Sequence, residues 1–586
     1  MDASLNEIIR RSDASRQHPL VFSAMLFYAH EAIIADAPLE LLQAYVDGLR
    51  EAGAHRIDFN PGTWPWLVGS NDPGRAAVNR EKYDRLVDYI RASGLLLNLN
   101  PMYSSAYNRF SAFAEWKAAA IPVWVEIASR YKPDTFVVIH EPTTMNDRLK
   151  LNAGPLEWRS FVEDAARAIK DVSPSTRLGA GFLYYEMDFF EAILKVPEIE
   201  AIGLDIYSFG GYNVIEDNFT HLAAYEQMVD MAQKAGKSVF VEETWRPAYA
   251  GTVNGLTLDE STAVGIGDRT FQPVDDKWLR AMTQTAAVWG LEAVTPSWTQ
   301  PLFHYAGPDE SNGALDPEYN RQVAEAIAAR RRTATFETLR GLTQRLSVKH
   351  RTVHSGSFRV GPLAGGSIVS MFPFGGLRLA DSSGDATAIP LPVKLAGTEI
   401  VIVDRNGFQK ASPLINVRPG QINFVIPDGL AEGPATIDVR LDSGASLAGS
   451  VQIARTSPGI YAANQNGMGV AAAYIVRSSA PGIAEFVFQS DLGNPPKFVP
   501  VPLDLGPPAG QVQLVLFGTG IRGGSSFRVR IGGEDVPITY AGDQRQFVGL
   551  DQVQVVLPRS LAGRGEVPIR LEVDGKLANT VTIHIR

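Results

Sequence analysis

The feature that most restricts the fold is an alternation. Between residues 18 and 335, eight short, largely apolar runs are each followed by a helix-patterned stretch. The runs are PLVFSAML (19–26), HRIDFN (55–60), LLLNLN (95–100), DTFVVIHE (134–141), RLGAGFL (177–183), EAIGLDIY (200–207), SVFVEE (238–243) and LEAVTPSW (291–298). Runs of this kind read as strands of a parallel sheet, buried on both faces. The stretches between them, such as LELLQAYVDGLREAG and HLAAYEQMVDMAQKAG, carry apolar residues at three-and-four spacing. Several end in Gly, as a helix C-cap does. Eight such units predict a closed (β/α)8 barrel. A doubly wound sheet would more often carry a Gly-rich phosphate turn after its first strand, and HEAIIAD is not one.

After about residue 346 helical periodicity stops. Gly, Pro, Ser and Asp recur between short Val/Ile-rich runs, a β-sandwich texture. An internal echo divides this half: QINFVIPDGLAEGPATIDVRL (421–441) matches QVQVVLPRSLAGRGEVPIRL (552–571). The chain is read as an N-terminal extension (1–17), a barrel (18–335), a linker (336–360) and two β-sandwich domains (361–460 and 461–586).

Composition narrows the chemistry. The 586 residues include no Cys, which excludes disulfides, thiolate metal sites and a Cys nucleophile. The net charge of -10 argues against nucleic-acid and anionic-membrane partners. No apolar run is long enough to span a membrane. The opening MDASLNEIIRRSDASRQHP has no signal-peptide core, so the chain is either cytoplasmic or follows a signal already removed.

A (β/α)8 barrel presents its active site at the C-terminal ends of its strands. Those ends carry Arg56, Asp58 and Asn60; Asn98 and Asn100; His140 and Glu141; Asp205 and Tyr207; Glu242 and Glu243; and Trp298. The loops beyond add Trp64, Trp66, Tyr103, Tyr107, Trp245 and His304. Two carboxylates facing each other in a cup of aromatic rings and amides suit glycosidic-bond cleavage. Aromatic faces stack on sugar rings, while Asn and Arg bond hydroxyls.

These motifs resemble those of clan A glycoside hydrolases, retaining enzymes with an acid/base Glu ending strand four and a nucleophile Glu ending strand seven. IHEP supplies Glu141 in the acid/base place. KSVFVEETW (237–245) resembles the strand-seven motif of endo-galactanase and cellulase-like members, whose register puts the nucleophile on Glu243. HRIDFNP resembles the stretch that places an Arg, here Arg56, beneath the nucleophile. GLDIY resembles the stretch whose Tyr, here Tyr207, bonds it. Trp298 matches the aromatic floor of the sugar site. The family usually has Asn before the acid/base to hold the sugar 2-hydroxyl; this chain has His140. The resemblance implies a secreted retaining hydrolase of a β-linked poly- or oligosaccharide. Its substrate contacts would be Arg56, Asn60, Trp64, Trp66, Asn100, Tyr103, His140, Tyr207, Trp245 and Trp298. The alternative is an inactive carbohydrate-binding or adhesion protein on the same barrel.

Other readings of these residues stand beside that one. Glu141 also suits the N-terminus of a helix starting at Pro142. Strand alternation lets only one of Glu242 and Glu243 face the cleft, without saying which. Arg56 also suits an ion pair with Asp58 or Asp205. Trp64, Trp66 and Trp245 also suit loop packing. His140 with Glu141, Asp205 or His304 also suits a metal site, but no His-x-His or His-Glu-x-x-His spacing is present, so no metal or other cofactor is expected. The long segment 246–276 is expected to wall the cleft.

SPGIYAANQNGMGVAAA, VLFGTGIRG and VRIGGEDVPITYAG resemble a module of unknown function common at the C-terminus of secreted acidobacterial proteins. That likeness implies an Ig-like fold, export, and a tethering or spacing role.

Overall fold

The computed structural model describes residues 2–26, 37–59, 73–101, 110–207, 221–245, 272–296, 299–305, 317–493 and 497–586. The chain divides into two compact units, Met1–Ser347 and Val348–Arg586.

In the first unit eight parallel strands close a barrel in chain order: β1 (Val21–Met25), β2 (Arg56–Phe59), β3 (Leu96–Leu99), β4 (Thr135–His140), β5 (Arg177–Phe182), β6 (Ile199–Tyr207), β7 (Ser238–Trp245) and β8 (Ala293–Pro296). Val21 pairs with Ala293 to shut the ring. Each expected run supplies one strand. Positive φ lets Gly94 and Gly236 end the helices Pro73–Ala92 and His221–Lys234, at +75° and +71°.

Alternate residues divide the strands between two environments. Ile57, Phe59, Leu97, Leu99, Val239 and Val241 join the apolar layer shared with the surrounding helices. Val137, Ala201, Phe240 and Ala293 form a separate small cluster inside the barrel. The interior above them turns polar, with Ser23, Arg56, Asp58, Asn98, Asp205, Glu242 and Thr295 all buried.

Two irregularities re-phase this alternation where it matters. In β4, Val137 pairs with Gly179 and Ile139 with Ala180, so Val138 is an extra residue. The Trp124 indole donates to the Val138 carbonyl at 2.9 Å. Val138 and Ile139 both face the helices, and His140 returns to the interior. In β7, Leu204 pairs with Val241 and Asp205 with Glu243, which leaves Glu242 as the extra residue.

The segment expected as a linker, 336–360, is ordered structure instead. Phe336, Leu339, Leu342 and Leu346 bury one face of the helix Ala334–Leu346 in the barrel unit. The strand His350–His354 pairs with Ile368–Pro373 in the second unit. Residues 1–17 likewise begin with a helix, Asp2–Asp13.

The second unit holds two double-sheet sandwiches, mostly antiparallel, with separate apolar cores. Each copy of the internal echo makes the same move. Gln421–Val425 lies in one sheet and Gly433–Leu441 in its neighbour; Asp551–Val556 and Gly565–Val573 repeat this. Two buried histidines lock the unit. The His350 ring fills the space beside Gly449, where a Cβ would lie 2.3 Å from it. His354 Nδ1 accepts from the N–H groups of Gly356 (3.1 Å) and Ser357 (3.3 Å), and its Nε2 lies 3.2 Å from the Thr519 carbonyl.

Burial pushes both imidazoles down to about 4. The neutral form is therefore favoured by folding, so stability is full above the ordinary His value of about 6.5 and falls as pH drops from there towards 4. Each contributes on the order of 3 kcal/mol over that window. Urea unfolding at pH 7 and pH 4.5 should show this loss, and His354→Gln should flatten the dependence.

Candidate active site

The polar interior is organised around His140 at the C-terminal end of β4. Its imidazole is 2% exposed and meets four carboxylates. Nδ1 lies 3.3 Å from Glu242 Oε1 and 3.8 Å from Asp205 Oδ2. Nε2 lies 3.9 Å from Glu141 Oε1 and 3.7 Å from Glu243 Oε1. Asn100 Nδ2 donates to Glu242 Oε1 at 2.6 Å and sits 3.1 Å from His140 Nδ1. Burial alone would push His140 down; the charges of Asp205, Glu242 and Glu141 outweigh it and hold the imidazole well above its ordinary value.

Glycines make room for this cluster. A Cβ at Gly181 would lie 2.1 Å from Glu242 Oε2, and one at Gly203 would lie 2.2 Å from the same oxygen. Side chains on β5 and β6 at these points would expel the carboxylate. RLGAGFL and EAIGLDIY carried that signal as glycines inside strands.

Glu141 leaves β4 in the left-handed conformation, φ 44° and ψ 73°. A non-glycine residue holds that geometry at a cost of about 1–3 kcal/mol. It is the backbone N-cap of the helix Pro142–Leu149, yet its side chain makes no capping hydrogen bond. That role falls to Glu186, which accepts from the Thr143 N–H at 2.7 Å and the Leu183 N–H at 2.8 Å. Glu186 therefore ties the turn holding Glu141 to the end of β5. Burial pushes Glu186 up to about 7.

The extra residue in β7 overturns the expectation that only one of Glu242 and Glu243 faces inward. Both reach His140, from opposite sides of its ring. Glu243 also accepts a hydrogen bond from the Tyr207 hydroxyl. Burial, reinforced by Glu141 and Asp58 and opposed by His140, pushes Glu243 up to about 7. Burial likewise raises Glu242 and Asp205.

Arg56 does not reach Glu243. It pairs with Asp58 (Nε–Oδ1 3.0 Å, Nη2–Oδ2 3.4 Å), donates to Ser23 Oγ at 2.9 Å and lies over the Phe240 ring. The HRIDF spacing puts Arg and Asp two residues apart on one strand face, and that near partner wins. His304 is buried, and its carbonyl accepts from Tyr319. Asn60, Trp64, Trp66, Tyr103, Tyr107 and Trp298 lie outside the described residues, as do the side chain of Trp245 and the segment 246–271. One aromatic that sequence reasoning missed is Tyr185, just past β5. It is 54% exposed, and the charge of Glu141 helps to raise its pKa to about 12, after burial and Glu186. The LYYE that follows the fifth run was its signal.

No family model matches the chain, and no curated protein matches it. Solved structures offer loose likenesses. A modular endo-β-1,4-mannanase from Cellulomonas fimi aligns at TM-score 0.33 and 13% identity, over 77% of this chain and 97% of its own. A tri-modular endo-β-1,4-glucanase from Bacillus licheniformis aligns at 0.36 and 10%, over 98% and 100%. A mutant Thermotoga maritima Cel5A with cellobiose aligns at 0.34 and 14%, over 54% and 98%. Likenesses this loose carry no argument about chemistry; the side chains must.

The glycine dependence is testable by a double-mutant cycle. Gly181→Ala should cost about 1–3 kcal/mol in urea unfolding, because its Cβ displaces a held carboxylate. In a Glu242→Ala background the same change should cost at least about 1 kcal/mol less.

Proposed function

We propose that the barrel is a retaining glycoside hydrolase acting on a β-linked poly- or oligosaccharide. One observation carries this reading: Glu141 at the end of β4 and Glu243 at the end of β7 meet the same nitrogen, His140 Nε2, at 3.9 and 3.7 Å. Their oxygens are thus no farther apart than the sum of those distances. That bound admits the spacing of about 5–5.5 Å needed for double displacement and rules out the upper part of the inverting range of about 6.5–9.5 Å; the likeness of the strand-four and strand-seven motifs supports the former.

In this mechanism Glu141 donates a proton to the glycosidic oxygen as the bond to the leaving sugar breaks. Glu243 attacks the anomeric carbon and forms a glycosyl ester. Glu141 then takes a proton from water, whose oxygen displaces Glu243 and releases the sugar with its configuration retained. The Tyr207 hydrogen bond fixes the attacking carboxylate. Tyr185 offers an exposed ring face near Glu141 for stacking on a sugar. His140, Asn100, Asn60, Trp64, Trp66, Tyr103, Trp245 and Trp298 complete the proposed substrate contacts. Arg56 acts at a remove, by compensating Asp58. Among the described residues no helix is long and apolar enough to cross a membrane. Export, with the C-terminal sandwiches as spacer or tether, belongs to the same proposal.

Reducing-sugar release from β-glucans, mannans, galactans and xylans tests it. Wild type should cut one polymer, and Glu141→Gln and Glu243→Gln should each lose on the order of 10^3-fold or more. An aryl glycoside whose leaving group needs no proton should form the glycosyl ester in Glu141→Gln but not in Glu243→Gln. Binding without cleavage by wild type would make the barrel a carbohydrate-binding protein.

Attack requires ionised Glu243, whose value is about 7. Below that pH the carboxyl is protonated. With an aryl glycoside whose leaving group needs no proton, so that Glu243 alone must be in the right state, the wild-type kcat/KM should therefore rise with pH through about 7 and fall about tenfold per unit below it. A profile already flat from pH 5 upward would contradict this protonation scheme.

A further inference from the structure

Beneath the proposed catalytic pair, Asp205 has no exposed surface, and neither of its carboxyl oxygens has a hydrogen-bond partner. Glu242 Oε2 is equally buried and equally unpartnered. The cation that meets both residues, among the described residues, is His140. Arg56 is committed to Asp58.

One imidazolium does not balance Asp205 and Glu242 together, with Glu141 and Glu243 at its other nitrogen. Unpaired buried carboxylates are costly. A proton on Asp205 would cancel its charge and still leave its carbonyl oxygen without a donor. A water would supply hydrogen bonds and leave the charge. A divalent cation answers both needs.

The geometry fits one. Nitrogen and oxygen donors bound to a first-row divalent ion at about 2.0–2.2 Å lie about 3–4 Å from one another. His140 Nδ1 lies 3.3 Å from Glu242 Oε1 and 3.8 Å from Asp205 Oδ2. All three donors fall within 4.8 Å of each other, so a small carboxyl rotation closes the set. The donors come from β4, β6 and β7, and Gly181 and Gly203 clear the space around Glu242.

We propose that His140 Nδ1, Asp205 and Glu242 bind a divalent cation of the Zn2+ or Mn2+ class inside the barrel. Imidazole with two carboxylates suits such ions better than the all-oxygen shells of Ca2+ or Mg2+. The ion takes the place of a proton on Nδ1. It thereby fixes the remaining proton on Nε2, the nitrogen that faces Glu141 and Glu243. His140 and Asp205 stand together among the sequence's candidate ligands, but no spacing motif joins them and Glu242 is not among them, because the three come from separate strands.

The test is metal content, which does not depend on any glycosidase activity. The intact protein, purified without chelator and dialysed, should hold close to one equivalent of Zn2+ or Mn2+ by elemental analysis. Stripping with a chelator should lower its Tm, and adding back Zn2+ or Mn2+ should restore it. Asp205→Asn and Glu242→Gln should each lose at least about tenfold in metal affinity. Should either variant fail to fold, the wild-type Tm response and Mn2+ electron paramagnetic resonance still decide. Less than a tenth of an equivalent, with no Tm response to Zn2+ or Mn2+, would overturn the proposal. So would metal retained undiminished in both variants, which would put the ion elsewhere.

Discussion

The site depends on how the barrel buries one carboxylate, that of Glu242. A barrel interior is ordinarily filled by layers of branched apolar side chains. Here two of the eight strands present glycine where a side chain would collide with Glu242, and Asn100 and His140 hold its oxygen from the other side. That arrangement fixes the His140 ring. Its second nitrogen then faces the mouth, where Glu141 and Glu243 converge on it. Remove the glycines and the chain of placement fails from the bottom upward.

The same logic explains the two extra residues in the strands. Strict alternation would turn His140 away from a barrel whose interior also holds Val137. It would likewise let β7 show only one of its paired glutamates. Each bulge uses one residue to place a second polar group at the mouth. The left-handed turn at Glu141 does similar work in the backbone. Strain and irregularity gather where the chemistry is proposed, as expected when packing over-determines a site.

Much of this was legible in the sequence. The eight strands show as near-continuous apolar runs because both faces of a parallel barrel strand are buried. The helices between them show as a 3.6-residue stripe. The C-terminal echo marked a repeated strand–turn–strand pattern; that its second strand lies in the neighbouring sheet is visible only in the structure. The strand-end rule singles out Glu141, His140, Asn100, Tyr207 and both Glu242 and Glu243, and the structure brings these side chains together around His140. What stayed hidden were properties of the space between strands. Arg56 had two readings in the sequence, beneath Glu243 or paired with an aspartate, and only distance in the folded barrel decides for Asp58. Gly181 and Gly203 gain their meaning from a residue two strands away in one case and one strand away in the other. The helix Ala334–Leu346 falls mostly within the expected linker, although Phe336, Leu339, Leu342 and Leu346 form an apolar stripe at helical spacing.

The most direct test of the account is to identify the residue that carries the sugar. A 2-deoxy-2-fluoro glycoside with a good leaving group, built on whichever sugar the polymer panel shows to be cut, slows release of the proposed glycosyl ester relative to its formation. Peptide mass spectrometry of the trapped protein should find one sugar mass on Glu243. A label on Glu242 or Glu141 would contradict the assignment of the nucleophile. An active enzyme that never carries a label would contradict double displacement itself.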